Sequence, residues 1–309
     1  MGVYNGEKFL REAVDSILHQ TFTDFEFIII NDGSTDRTKA ILETYHDPRM
    51  IVIHQANVGL TKSLNRGMGM AKGDYIARQD ADDASMPDRL RVQVDFLASN
   101  INIALTGSAV NVIDGEGSHL TVFSPPCAFT TIREKLKQSN CFWHGSVMFK
   151  RSCLAELGGY SEFFTSAQDY DFWLRFAEKY ELANLAIPLY TYRFNPDSIT
   201  FKKIIVQRRM AELARKLAEA RVNHLPEDAL VQNFEKFVRS PLTLAERNDI
   251  VQSYKPWCRL LLKNNKDKDA RLLMTAVFKY HPSLLFRLRF ALSKNILSPS
   301  RLEGILDHA

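Results

Sequence analysis

Three carboxylates fall close together at Asp80, Asp82 and Asp83. Carboxylates so near one another repel when ionised unless a cation or solvent relieves them. Their donors are all oxygens, which suit Mg²⁺ or Mn²⁺; such ions take one or two carboxylates and complete their shells with water and phosphate. The same spacing also serves a solvated acidic turn, with Asp83 or Ser85 preparing a helix after Pro87. Other reactive side chains stand alone. Cys141 and His144 form a single CxxH with no second pair, which argues against zinc. Asp169 precedes Phe172, Trp173 and Phe176, and by itself it reads as an acid stabilising a helix N-terminus. Trp143 and Trp173 suit either sugar stacking or a core. Arg66 and Arg78 suit either phosphate or an ion pair. Gly33, Gly59 and Gly73 read as turns, because no GxxxxGK[ST] or GxGxxG run is present.

Alternating strands and helices must position these groups. Residues 6–20 carry Phe9, Leu10, Val14, Ile17 and Leu18 at helical spacing. The run Phe25–Ile30 reads as a buried parallel strand ending at Asn31-Asp32-Gly33-Ser34. A helix with Ile41, Leu42 and Tyr45 follows, capped by Ser34 or Thr35, then a strand over Met50–His54. The pattern continues with a helix over Gly59–Lys72, a strand over Asp74–Gln79 and a helix over Pro87–Ala98. This order predicts a doubly wound α/β sheet. Strands at Ile103–Ile113 and Leu120–Phe123 around the turn Asp114–Gly117 add an antiparallel part. Ligands of such sheets bind at the carboxyl ends of strands, where Asn31-Asp32 and the Asp80–Asp83 segment fall.

The chain has 309 residues, 45% of them hydrophobic and 25% charged, which excludes a disordered or collagen-like protein. No apolar run is long enough to span a membrane, and the first residues lack a signal-peptide profile. Four cysteines without CxxC spacing predict a reducing, cytoplasmic setting. Residues 1–200 carry 19 Lys and Arg against 25 Asp and Glu, whereas residues 201–309 carry 21 against 11. That asymmetry predicts two units, 1–200 and 201–309, with a boundary near Thr200. The second reads as helical nearly throughout.

Taken in order, several segments carry a resemblance. They are Val3-Tyr4-Asn5-Gly6, Ser16-Ile17-Leu18-His19-Gln20-Thr21-Phe22, Asn31-Asp32-Gly33-Ser34-Thr35-Asp36 and Asn57-Val58-Gly59-Leu60. Gly73-Asp74-Tyr75-Ile76 with Asp80-Ala81-Asp82-Asp83, Gly158-Gly159-Tyr160, and Gln168-Asp169-Tyr170-Asp171-Phe172-Trp173-Leu174-Arg175 complete the set. Over residues 2–200 the chain resembles the inverting family 2 glycosyltransferases. The resemblance implies a GT-A type, Rossmann-like doubly wound mixed sheet, here with a C-terminal helical extension. It implies a nucleotide-diphosphate sugar donor, a UDP-sugar above all, and Mn²⁺ or Mg²⁺. By the same resemblance Asp32 accepts the uracil N–H and Tyr4 lines the base pocket. Asp82 is the main metal ligand, Asp80 and Asp83 share metal and ribose contacts, and His144 approaches the donor phosphates or the metal. Asp169 matches the general base that deprotonates the acceptor hydroxyl. The implied acceptor is a glycan or a lipid-linked sugar in cell-surface polysaccharide assembly.

The chain departs from this pattern in places. The resemblance sets an apolar strand ahead of Val3; with Met1-Gly2 at the start that strand is expected to be missing, through a misplaced start or a truncated product. Gly2 stands where Pro is usual, Gln168 where Glu is common, and Asn195 where His is frequent. The absent strand and Asn195 motivate an alternative, a catalytically silent sugar-nucleotide or glycan-binding module. Metal-dependent phosphoester hydrolysis would need more histidines near the aspartates. In the tail, Phe286-Arg287-Leu288-Arg289-Phe290-Ala291-Leu292 mixes basic and apolar residues. It suits either peripheral contact with the inner membrane face or a solvated basic helix. No nucleic-acid-binding motif accompanies the charge.

Overall fold

A computed structural model describes residues 1–195 and 203–278. The predicted boundary near Thr200 and the segment Phe286–Leu292 lie outside the described residues. The chain divides into two compact units, one made of Met1–Arg193 with Met210–Gln232, the other of Phe194–Arg209 with the chain from Asn233 onward. The stretch Met210–Gln232, which charge alone groups with the basic tail, thus belongs to the first unit.

The first unit opens with β1 (Gly2–Val3), α1 (Leu10–Leu18), β2 (Phe27–Asp32), α2 (Thr38–Leu42), β3 (Met50–Gln55) and α3 (Leu60–Met70). The β-branched run of β2 is buried along its whole length, as a strand covered on both faces must be. Helix α1 packs Leu10, Val14 and Ile17 on one side of it with Ile41 and Leu42 of α2. Strands β1, β2 and β3 are all parallel, with Gly2 opposite Ile30 and Ile29 opposite Val52. The residues expected to follow a missing strand therefore pair themselves, and Ile30 N–H donates to Met1 O at 2.9 Å. Gly33, at φ +73, turns the chain away from β2 so close to Asn57 that an added Cβ would stand 2.6 Å from its backbone nitrogen.

Next come β4 (Tyr75–Ala77), β5 (Ala84–Ser85), α4 (Arg89–Ser99), β6 (Ile103–Ile113), β7 (His119–Phe123) and α5 (Phe129–Leu136). They are followed by β8 (Met148–Lys150), α6 (Leu154–Leu157), α7 (Gln168–Lys179) and β9 (Glu181–Arg193). These strands form a second, mixed sheet in the order β4-β8-β6-β9-β5, with β7 also on β6. Only β6 and β9 run parallel. The single sheet expected from the strand pattern is thus divided in two. Between the sheets lies a cavity of about 650 Å³ lined by Phe27, Ile30, Leu64, Tyr75, Ile76 and Met148 among others. The pairing of β9 with β6 is invisible to local pattern, because the partners are separated by nearly eighty residues of sequence.

Helix α8 (Ile204–Val222) serves both units, and α9 (Asp228–Gln232) closes the first. Within the first unit Arg221 of α8 pairs with Glu178 of α7 at 2.8 Å. The second unit holds α10 (Phe234–Arg239), α11 (Leu244–Lys263) and α12 (Asp267–Phe278). A capping box starts α11: Thr243 accepts from Glu246 N–H while the Glu246 side chain accepts from Thr243 N–H. Ile250, Tyr254, Cys258 and Leu261 form its buried stripe. Among the described residues no helix is long and apolar enough to cross a membrane.

Candidate active site

Strand β2 delivers Asp32 to its carboxyl end, where the side chain is buried. Oδ1 accepts from Gln55 Nε2 at 2.8 Å and Val58 N–H at 2.9 Å, and Oδ2 accepts from Gly59 N–H at 2.8 Å. Burial opposes ionisation, but these donors and Ser63 outweigh it and hold the carboxyl below its usual range. Arg66 joins the chain by donating to Gln55 Oε1 at 2.6 Å. Tyr4, half of it exposed at 54%, lies beside the loop after Asp32. That loop is stitched to the chain after Tyr4: Asn5 N–H donates to Ser34 Oγ at 2.9 Å and Thr35 N–H to Asn5 Oδ1 at 2.8 Å.

The end of β4 leads into the acidic segment. Buried Arg78 pairs with Asp80 Oδ1 at 2.6 Å, and this charge more than offsets burial in keeping the Asp80 carboxyl low. Asp82 lies at the exposed rim. The protein packed about its carboxyl, and then the Asp80 charge, push it up to about 6. Asp83 is different. It is buried, its Oδ1 accepts from Arg193 N–H at 2.8 Å, and burial with the charges of Asp82 and Asp80 raises its carboxyl far above the ordinary range. The last strand is fastened to the acidic segment a second time, since Arg193 Nε donates to Asp82 O at 3.1 Å. Asp83, grouped with ligand contacts by the resemblance, thus also helps to hold β9.

A 3-10 turn at His144–Ser146 approaches Asp80 from the other side. A Cβ on Gly145 would overlap the Tyr190 hydroxyl and come within 2.8 Å of Asp80 Oδ2, so only glycine fits. Arg78 Nε–H reaches His144 Nε2 at 3.3 Å and the Tyr160 hydroxyl lies 2.9 Å from the same nitrogen. A nitrogen that accepts from Arg78 carries no proton, which places the His144 proton on Nδ1. Burial, then Arg78, lowers this imidazole to about 3, so it is neutral at ordinary pH.

Asp169 stands in the first turn of α7 after Ala167, whose left-handed φ of +55 costs roughly 1–2 kcal/mol for a residue with a Cβ. Asn140 Nδ2 donates to Asp169 Oδ2 at 2.8 Å, and Asn140 Oδ1 accepts from Phe142 N–H at 3.0 Å, which fixes the amide. Burial is the largest influence on Asp169 and wins over the Tyr170 N–H and Asn140; with the Asp80 charge adding to it, the carboxyl rises to about 6. Asp171, two residues on, is buried in an ion pair with Arg175 at 2.9 Å and has a structural task. Trp173 is wholly buried among Phe172, Phe176 and Tyr160, which assigns it to the core.

The folded chain thus brings Asp80, Asp82, His144 and Asp169 into one electrostatic neighbourhood. Asp80 and Asp82 offer hard oxygen donors only, and their mutual repulsion is what a divalent cation relieves; the pair fits Mg²⁺ or Mn²⁺. Among the described residues no three His, Cys, Asp or Glu side chains gather into a complete cage. Such a pair would leave further coordination positions to water and phosphate. Sequence reasoning named Arg78 without its partner and gave no role to Asn140, Tyr160, Tyr190 and Arg193. Their roles follow from contacts across long sequence separations that no local spacing encodes.

The model of glycosyl transferase family 2 matches residues 1–158. The chain belongs to that family and is a glycosyltransferase. It is 36% identical to EpsE of Bacillus subtilis (strain 168) over 210 residues, 66% of this chain and 74% of that protein. It is 34% identical to the O-antigen biosynthesis glycosyltransferase WbnJ of Escherichia coli over 178 residues, 57% of this chain and 69% of that one. Its fold is similar to that of S. aureus TarS residues 1–349 in complex with UDP. The TM-score is 0.54 at 19% identity, covering 91% of this chain and 90% of that chain. This is the GT-A fold.

Proposed function

We propose that the protein transfers a sugar, with inversion, from a UDP-sugar to a hydroxyl of a glycan or lipid-linked acceptor in cell-surface polysaccharide biosynthesis. The observation that carries this reading is the pairing of a carboxylate couple at Asp80 and Asp82 with a separately held carboxyl at Asp169, raised to about 6. In this reading Asp32 and Tyr4 receive the base, and Asp80 and Asp82 hold Mg²⁺ or Mn²⁺. When bound, that ion supplies electrostatic neutralisation of the departing diphosphate. Asp169 takes the proton from the acceptor hydroxyl as its oxygen attacks the anomeric carbon. The bond from that carbon to the diphosphate oxygen breaks with its electron pair leaving on the diphosphate. One displacement inverts the anomeric centre. A base near pKa 6 is mostly ionised at pH 7 yet still basic enough to accept a proton, the compromise general-base catalysis favours. TarS, solved with UDP and with UDP-GlcNAc, supports the choice of a uridine donor.

The experiment is UDP release from UDP-glucose, UDP-galactose and UDP-GlcNAc with Mn²⁺, with and without mixed oligosaccharide acceptors. Metal-dependent release, lost in Asp169→Asn and in Asp82→Ala, is the expected result. UDP binding without release from any donor would replace this reading with a silent nucleotide-binding module.

A further inference from the structure

Three aromatic side chains form a half-open cluster beside the carboxylates. Trp143 packs on Tyr192 with ring centroids 4.7 Å apart and on Phe123 at 5.7 Å. Phe123 lies on β7 opposite Val110 of β6, and Tyr192 lies on β9 beside Val112 of the same strand. Two strands flanking β6 therefore supply the outer rings, with Trp143 in contact with each. Phe123 is 37% exposed, and Trp143 and Tyr192 are half-buried, unlike the sealed Trp173 group. The cluster is tied to the chemistry at both ends. Trp143 lies three residues after Asn140, which holds Asp169, and two before Gly145, which abuts Asp80. Tyr192 precedes Arg193, whose N–H holds Asp83, and its hydroxyl feels the charges of Asp83, Asp82 and Asp80.

We propose that Phe123, Trp143 and Tyr192 form the platform on which a hexopyranose ring of the acceptor stacks, next to Asp169; the proposal rests on the glycosyltransferase reading. A pyranose has an apolar C–H face and polar edges. Aromatic faces carry negative charge density that attracts C–H hydrogens, and they bury that face without competing for the hydroxyls. Partly exposed rings at the lip of a polar site therefore select a cyclic sugar and leave its hydroxyls free for reaction. An extended lipid tail has no flat face to match.

The test is saturation-transfer NMR on the full chain with UDP and Mg²⁺, which is diamagnetic. The probes are the methyl glycosides of glucose, galactose, mannose, rhamnose and N-acetylglucosamine, with sorbitol as the open-chain control. Saturation is expected on the ring C–H protons of at least one glycoside and not on sorbitol. It should fall roughly fivefold in Trp143→Leu, less in Phe123→Ser, and return in Trp143→Phe, since each stacked ring contributes about 1 kcal/mol. Phe123→Ser, at an exposed position, decides the matter should Trp143→Leu fail to fold. Glycoside saturation unchanged in the variants, or no greater than that of sorbitol, overturns the platform. The UDP protons report separately: no saturation of UDP in the unmodified chain would overturn the glycosyltransferase reading itself.

Discussion

Arg209 in the helical unit and Asp169 in the α/β unit are charged groups set into protein, and their surroundings differ. Arg209 is 2% exposed and nearly every donor is used. Its guanidinium pairs with Glu246 at 2.8 Å and donates to the carbonyls of Phe237, Val238 and Ser240 at 2.6–2.9 Å. Glu246 responds as a satisfied partner, its carboxyl lowered to about 2 chiefly by the Arg209 hydrogen bond. Asp169 has Asn140 and a backbone N–H but no cationic partner among the described residues; its carboxyl rises to about 6, as does that of Asp82. Charge that is fully matched fixes a fold, whereas charge left under-matched is available to a substrate or a metal. By this criterion the α/β unit carries the chemistry and the Arg209 network carries structure.

That contrast can be broken by substitution. The largest effect is expected in Asp169→Asn, with turnover reduced by about 10²–10⁴ while UDP affinity by calorimetry is retained. Normal turnover would remove Asp169 from the reaction. Asp82→Ala is expected to lower the Mn²⁺-dependent rate roughly 10²-fold and to abolish the response of melting temperature to Mn²⁺. Arg209→Met should instead cost roughly 3 kcal/mol in stability, by stranding Glu246 and the four carbonyls of Phe237, Val238, Ser240 and Pro241, with the rate per folded molecule unchanged. A denaturant titration beside UDP-release kinetics separates the two outcomes.

Smaller effects sharpen the comparison. In the proposed reaction the base must be ionised to act, so the raised pKa of Asp169 is expected to set an acid limb in the rate near pH 6, with activity lost as pH falls through that value. The Asn140 hydrogen bond favours the ionised form, so Asn140→Ala should move the limb to higher pH; a limb that stays in place would deny Asn140 that role. Thr243→Ala, which removes the cap of α11, should cost about 1 kcal/mol in stability and leave the pH profile unmoved.

Much of this protein was legible in contiguous residues. The β-branched run of β2, the helical stripe of α1 and the turn after Asp32 follow from side-chain period and turn chemistry, which act within a few residues. The ordered motifs from Val3-Tyr4-Asn5 to Gln168-Asp169 carried the family. The sheet was another matter. Strand pattern predicted one sheet, yet β9 lies parallel to β6 and the ladder is divided, because pairing depends on partners that local propensity does not specify. The three acidic residues read alike in the sequence. Only the fold decided that Asp80 is paired with Arg78, Asp82 is left at the rim and Asp83 is tied to Arg193, 110 residues away. Likewise Asp169 was named by its motif, but its carboxyl is raised by burial and by Asp80 and restrained by Asn140, 29 residues away. Residue type and spacing determine which groups are present; burial and partners from distant segments determine their charge, because desolvation and hydrogen bonding are properties of the packed site.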